Sequence, residues 1–409
     1  MRCTYAFFIV FFFVYSVNAQ QSIKGKVINI ETNQPIAGAS VFINNTSKGT
    51  VTSSTGEFLL TEIPGGTHEL IVSFVGFETF VKAFVQNDLP MELIVKMNLK
   101  VKELEGVTVA PFEKDGWAKW GRVFMENFIG TTVNSENCKI INYKTIRFRF
   151  SKKENILSAV AGEPLIIQNK ALGYRIQYQM EGFEVNYTDN IISYYGYPLF
   201  EEMKGAKRKW VQARKKAYLG SVNHFIRSVY NNKLQDEGFE VRRLKKVTNY
   251  EKERVKTIYK VVKKNVLDKN GKLTIIMDYN DEQFPADSVN YYQTVLSQKN
   301  YFDVFSNYFI TADSVTAFDS AGNKYLMFPD YLYVTYKNET EEQRYLQHIN
   351  ETNRKAFYQR SSIMLTGSGY VSIEKNGSYY SPQDLLNNGY WGWSEKMSNL
   401  LPLDYELEE

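Results

Sequence analysis

Between Ile23 and Val109 the chain repeats one pattern: a short apolar run, a glycine or proline, then another apolar run. Pro35 and Gly38 bracket the entry to Ala39-Ser40-Val41-Phe42-Ile43. Ser54-Thr55-Gly56-Glu57 turns the chain into Phe58-Leu59-Leu60, and Pro64-Gly65-Gly66 separates that run from His68 to Phe74. Runs bounded by turn residues in this way read as strands of one small β-sandwich. Gly76, just before Phe77, allows a bulge or a close backbone approach. This stretch constrains the fold and names no reaction.

The remaining sequence is long enough for a second domain. With 409 residues, two domains, each with its own core, are expected. An aromatic share of 15% favours half-buried pleated surfaces and hence a β-rich fold. Before the sandwich, Arg2, the apolar run Tyr5 to Val17 and Val17-Asn18-Ala19 read as a cleavable secretory signal over residues 1–19. The run is shorter than the roughly 20 residues a spanning helix needs. No later stretch is apolar enough to span as a helix, so no transmembrane helix is expected once the signal is removed. The expected location is outside the cytoplasm, in the periplasm or at the outer-membrane periphery. After cleavage only Cys138 remains, which excludes an internal disulfide and a thiolate metal site, and it reads as a small buried hydrophobe. The expected division is a signal over 1–19, a sandwich over 22–110, a linker over 111–116 and a β-rich domain over 117–409.

The motifs Gly25-x-Val27, Pro35-Ile36-x-Gly38-Ala39-x-Val41, Gly49-Thr50-x-Thr52, Gly56-Glu57-Phe58 and Phe74-Val75-Gly76-Phe77 resemble the carboxypeptidase regulatory-like domain. The resemblance covers about a fifth of the chain and implies a prealbumin-like sandwich of the kind found at the front of exported Bacteroidetes proteins. It implies no peptidase activity. The fold class expected is therefore mainly β with some α: a prealbumin-like β-sandwich followed by a larger β-rich α+β domain. Leu172-Gly173-Tyr174, Tyr218-Leu219-Gly220-Ser221 with His224-Phe225, and the ending from Trp391 to Tyr405 are also similar to exported Bacteroidetes proteins with this front domain. That likeness implies a location and no chemistry.

Beyond the sandwich the period changes. Trp117, Trp120, Phe124 and Phe128 fall at helical spacing and predict a core-facing stripe. Thr145 to Phe150 and Tyr174 to Met180 alternate as strands, with Glu163 to Asn169 read as punctuation between them. Ser221 to Tyr230 reads as a helix and Gly238 to Val241 as a strand, while Asn270-Gly271, Gly322-Asn323 and Asn376-Gly377 mark hairpin turns.

Few residues offer catalysis. His348 and Glu351 match the His-x-x-Glu spacing of a zinc site, but no His follows to complete three protein ligands. They sit in Glu341 to Arg354, which reads as a solvated helix. A serine triad would need His224 or His348 as its base, and neither lies near a nucleophile elbow. Asp278, Asp281, Glu282 and Asp287 cluster around one loop, where solubility explains them as well as a carboxylate pair does, and Asp268-Lys269-Asn270-Gly271 lacks the later ligands of a calcium loop and reads as a hairpin. No catalytic residue, metal ligand or cofactor is assigned.

Charge is more informative. The whole chain carries +4, yet Lys204 to Lys264 holds nineteen Lys or Arg against five Asp or Glu. Its densest part, Lys204, Lys207, Arg208, Lys209, Arg214, Lys215 and Lys216, is the candidate surface for an anionic partner, either an outer-membrane protein or an anionic glycan or lipid. The competing reading is a solvated helix with Lys-rich strand edges that discourage pairing. Nucleic acid is not expected as a partner of an exported protein. Asp287-Ser288-Val289, Asp313-Ser314-Val315 and Asp319-Ser320-Ala321 resemble a Bacteroidetes O-glycosylation sequon. The function expected is a non-enzymatic cell-envelope binding or structural protein. The alternatives are an envelope hydrolase acting through a carboxylate pair, or an accessory subunit of an outer-membrane receptor or secretion complex.

Overall fold

The computed structural model describes residues 21–100, 111–205, 208–267, 273–279 and 281–407, with the backbone alone described over 261–267 and 273–279 and at Glu282. The signal-like residues 1–19 and the Asn270-Gly271 turn lie outside the described residues. Contacts divide the chain into two compact units. The first runs to Leu219 and includes Glu374–Asn376 and the chain from Ser394 onward; the second comprises Gly220–Ile373 and Gly377–Trp393.

The first unit begins with the sandwich. Its strands are β1 (Ser22–Asn29), β2 (Ser40–Ile43), β3 (Gly49–Val51), β4 (Glu57–Thr61), β5 (Thr67–Ser73), β6 (Phe80–Val85) and β7 (Met91–Met97). They form one sheet in the order β4-β1-β7 and a second in the order β3-β2-β5-β6. Apolar residues at alternate positions, among them Ile23, Val27, Val41, Ile43, Leu70, Val72, Val95 and Met97, fill the space between the sheets. Gly25 is required because β1 runs beside β7: a Cβ there would lie 2.2 Å from the Leu93 carbonyl oxygen.

The same unit continues with α1 (Gly116–Phe124), which widens into a single π turn over Met125–Ile129. The strands β8 (Cys138–Ile140), β9 (Ile146–Ser151), β10 (Ile156–Ala161), β11 (Leu165–Asn169), β12 (Tyr174–Asn186) and β13 (Ile191–Glu202) follow, then α2 (Arg208–Tyr218). Residues 165–169, read from sequence as punctuation, are a strand; Leu165, Ile167 and Asn169 point inward and pair it to β12. The aromatic stripe packs as its period predicts. Phe124 packs tilted on Phe183 with ring centres 4.6 Å apart, Phe128 meets Tyr178 edge-on at 5.1 Å, and Trp117 packs tilted on Tyr143 at 4.7 Å. The C-terminal segment returns to this helix: Met397 N–H donates to the Phe128 carbonyl and Asn169 Nδ2 to the Ser398 carbonyl.

Sandwich and sheet are fastened at the turn between β2 and β3. Asn45 N–H donates to the Pro198 carbonyl (2.8 Å), Phe200 N–H to the Thr46 carbonyl (3.0 Å), and Thr46 bridges Leu199 in parallel register. Phe42, Ile71 and Leu199 form a shared apolar cluster beneath these bonds. A bulge in β12 between Met180 and Gly182 sets Glu181 outside the ladder, where it accepts the Thr79 hydroxyl (2.6 Å), while Ser73 donates to Gln179 (2.8 Å). The tail completes the joint: Leu403 N–H donates to the Asn45 carbonyl and Ser47 N–H to Asp404.

The second unit opens with α3 (Val222–Tyr230), β14 (Phe239–Thr248), α4 (Tyr250–Ile258), the hairpin β15 (Val261–Leu267) and β16 (Leu273–Tyr279), and α5 (Ala286–Ser297). Next come β17 (Tyr301–Phe305), β18 (Thr316–Phe318), β19 (Lys324–Met327), β20 (Tyr331–Thr340), α6 (Gln343–His348), β21 (Tyr358–Leu365), β22 (Tyr370–Ile373), β23 (Tyr379–Tyr380), β24 (Leu385–Gly389) and α7 (Tyr390–Ser394). One antiparallel sheet has the order β17-β14-β20-β21-β24, another β18-β19-β22-β23. Phe225 of α3 packs on Phe239 and Trp391, and Trp391 Nε1–H donates to the Gly220 carbonyl (2.6 Å). Gly322-Asn323 and Asn376-Gly377 lie in the turns β18–β19 and β22–β23, as their sequences predict. The polar stretch 341–354 is less solvated than expected, because α6 spans only six residues and buries Tyr345 and Leu346 against Tyr390 and Trp393.

The joint within the first unit makes a direct prediction. Leu199 is 6% exposed and supplies the body's side of the shared cluster. Leu199→Ala should destabilise the first unit by about 2–5 kcal/mol. In urea, probes in the sandwich and in the sheet should shift together; a shift in one alone would show that the joint does not couple them.

Candidate functional site

The basic cluster is built on α2, and the helix is seated by two inward side chains. Trp210 Nε1–H donates to the Lys170 carbonyl (3.0 Å), and its ring lies over Gly173, where a Cβ would come within 2.2 Å of the indole. Gly173 also has φ +76, a left-handed conformation that favours glycine. One turn later Arg214 points the same way. Its Nε donates to the Leu172 carbonyl (2.8 Å), its guanidinium pairs with Glu202, and it stacks 4.1 Å from the Tyr174 ring centre. Leu172-Gly173-Tyr174 is thus the seat of α2.

This arrangement removes Arg214 from the candidate surface. It is 8% exposed because its charge is matched and its donors are engaged within the fold. Arg208, Lys209, Lys215 and Lys216 are exposed, as is Lys204 ahead of the helix. At 3.6 residues per turn those four helical cations lie within an arc of about 120°, opposite Trp210 and Arg214. Lys207 lies outside the described residues. The helix therefore presents one basic face rather than scattered charges.

The residues considered for catalysis are otherwise engaged. His224 is buried; Gly220 N–H donates to its Nδ1 (3.1 Å), so the proton sits on Nε2, which donates to Glu237 (3.2 Å). His68 is also buried, with its Nε2 3.2 Å from the Gly65 carbonyl. Burial holds both imidazoles below their ordinary value. His348 and Glu351 are exposed, and Glu351 pairs with Arg354. Among the described residues no group of three His, Cys, Asp or Glu could hold a metal ion. Asp281 accepts the Tyr259 hydroxyl and Asp287 is exposed in the first turn of α5; the side chains of Asp278 and Glu282, and all of Asp268–Gly271, lie outside the described residues. Of the sequon-like serines, Ser314 and Ser320 are exposed, and Ser288 is half-buried on α5.

Cys138 lies in β8 among the core residues, and burial pushes its thiol up to about 12. Among the described residues no helix is long and apolar enough to cross a membrane. The sequence reading missed the anchoring role of Arg214; the signal for it was the i, i+4 spacing of Trp210 and Arg214 inside an otherwise polar helix.

The fold so defined is a mainly β protein with an N-terminal regulatory-type sandwich and a surface rather than a cleft as its candidate site. Residues 23–109 match the family model of the CarboxypepD_reg-like domain, and the described strands of that segment form such a sandwich. No curated protein matches the chain. Among solved structures, a type II cohesin–X–dockerin complex of Acetivibrio cellulolyticus is 26% identical over 19% of this chain and 56% of that one, with a TM-score of 0.17. The chain thus spans about 56% of that relative's length. The Bacillus anthracis TIE protein is 14% identical over 46% of this chain and 32% of its own (TM-score 0.17). A Bacteroides fragilis protein described as membrane-associated and of unknown function is 10% identical over 87% of this chain and 95% of its own (TM-score 0.16).

Two measurements check these assignments. Cys138 should resist a thiol reagent in the folded protein and react on denaturation; labelling at native rates typical of free thiols would contradict its burial. An imidazole whose proton is held less tightly when folded contributes stability that is complete above 6.5 and lost as pH falls below it. The melting temperature should therefore fall from pH 7 to pH 5, less steeply in His224→Gln. A melting temperature that rises over that interval would contradict the environments of His68 and His224.

Proposed function

We propose that this chain is a non-enzymatic binding protein of the cell envelope, exported to the periplasm or the outer-membrane periphery, in which the regulatory-like sandwich supports a binding body. The observation that carries the reading is the joint at Asn45, Thr46 and Leu199. Backbone bonds and an apolar cluster make the sandwich part of the same unit as the sheet under α2, which suits a buttress better than a tethered module. The exposed arc of Arg208, Lys209, Lys215 and Lys216 is the contact face, and its chemistry fits lipid phosphates or an anionic glycan.

The test is co-sedimentation of the purified protein with vesicles of phosphatidylglycerol and phosphatidylcholine, compared with phosphatidylcholine alone. Binding to the anionic vesicles at low salt, release at high salt and loss in Lys209→Glu/Lys215→Glu/Lys216→Glu are expected, because exposed charges are screened within about 10 Å at 0.1 M salt. Vesicle binding that ignores salt and the triple substitution would overturn the contact face. Turnover of a cell-wall glycan or peptide by the purified protein would overturn the non-enzymatic reading.

A further inference from the structure

We propose that the open edge of β17 is a docking site where an extended, acidic segment of another protein adds a strand to the five-stranded sheet. β17 ends the sheet order, and all five of its residues are exposed, Tyr301, Phe302 and Val304 by 51, 50 and 52%. Its register against β14 says which backbone groups are open. Ser306 N–H donates to the Arg243 carbonyl and Asn249 N–H to the Asn300 carbonyl. An antiparallel ladder alternates, so residues 302 and 304 turn their backbone groups toward β14, and residues 301, 303 and 305 turn theirs to the open edge.

Natural edges are blunted by lysine, proline, bulges or covering segments. Tyr301-Phe302-Asp303-Val304-Phe305 has no proline, no lysine and no bulge, and its one charge, Asp303, stands opposite Lys246 in the register. The positive charge sits one strand inward. β14 carries Arg242, Arg243, Lys245 and Lys246; Arg242 stacks on Phe309 and Lys246 on Tyr331. Among the described residues no carboxylate forms an ion pair with any of these four. An incoming strand would find outward N–H and C=O groups to pair with, aromatic surface on both faces and uncompensated cations within side-chain reach. Those three features together select an extended acidic segment. A second copy of this chain fits less well, because self-pairing would bring a second cationic β14 to the same assembly and only one more Asp303. The surface lies in the second unit and does not involve α2.

The probes are fluorescein-labelled peptides of about ten residues, long enough to span the strand at roughly 3.3 Å per residue. One alternates Val and Glu, one alternates Val and Lys, and one is the Val–Glu peptide N-methylated at every residue. With the folded chain, fluorescence anisotropy should show the Val–Glu peptide binding roughly tenfold or more tightly than the Val–Lys peptide at low salt. N-methylation should abolish that gain, since it removes the donors that pair with the edge. Asp303→Pro deletes an outward N–H while leaving the bonds to β14, at a position where an edge strand tolerates proline, and it should lose the Val–Glu peptide. Lys245→Glu/Lys246→Glu should reverse the charge preference. Equal binding of both charge types, or undiminished binding of the N-methylated peptide, would overturn the proposal. So would self-association in sedimentation that Asp303→Pro removes while no peptide binds, which would make the second copy the occupant.

Discussion

The turn from Asn44 to Lys48 is where the first unit is held together. Thr46 has no exposed surface; its hydroxyl donates to the Ile43 carbonyl and accepts from Lys48 N–H, which fixes the turn before anything packs against it. The turn then pairs its own backbone with β13 and with the returning tail. If the sandwich moved away these groups would exchange one another for water, so each bond holds the joint by about 0.5–1.5 kcal/mol net. The apolar cluster of Phe42, Ile71 and Leu199 adds to the same restraint. Sandwich, long hairpin and tail therefore share one set of interactions, and the sandwich cannot be removed without exposing the sheet it leans on.

The basic helix shows how one run of cations divides by geometry. Arg214 holds the seat of α2 through charge-assisted bonds to the Leu172 carbonyl and to Glu202, with little of its own surface left to solvent. Its neighbours Lys215 and Lys216, one and two positions along, are turned to solvent. The distinction is between a cation that orders the fold and cations that set its surface potential.

How much of this could be read from the residues follows from where the information lies. The sandwich was legible because Gly56 and the Pro64-Gly65-Gly66 turn are demanded by local backbone geometry, and Gly25 by the close approach of β7. The stripe Trp117, Trp120, Phe124 and Phe128 was legible for a similar reason, since one period places all four on a single face. Residues 165–169 were not, because their strand character comes from pairing with β12 rather than from strong alternation of their own. Arg214 was misjudged because charge runs report composition, and the Leu172 carbonyl and Tyr174 ring that hold it inward are about forty residues away in sequence. Asn45 meets Leu403 through a contact spanning almost the whole chain, and no local pattern encodes it.

The return of the tail makes the second unit an insertion within the first. Residues 394–405 supply partners for Phe128, Ile129 and Asn45, so the first unit, though begun at the N-terminal end, is completed only after the whole of the second has been synthesised. During that interval β13 and the β2–β3 turn wait on a strap that does not yet exist. A chain arranged in this way assembles its inserted unit as a local event and closes the surrounding one as a final, long-range step, the kind of contact that slows folding most.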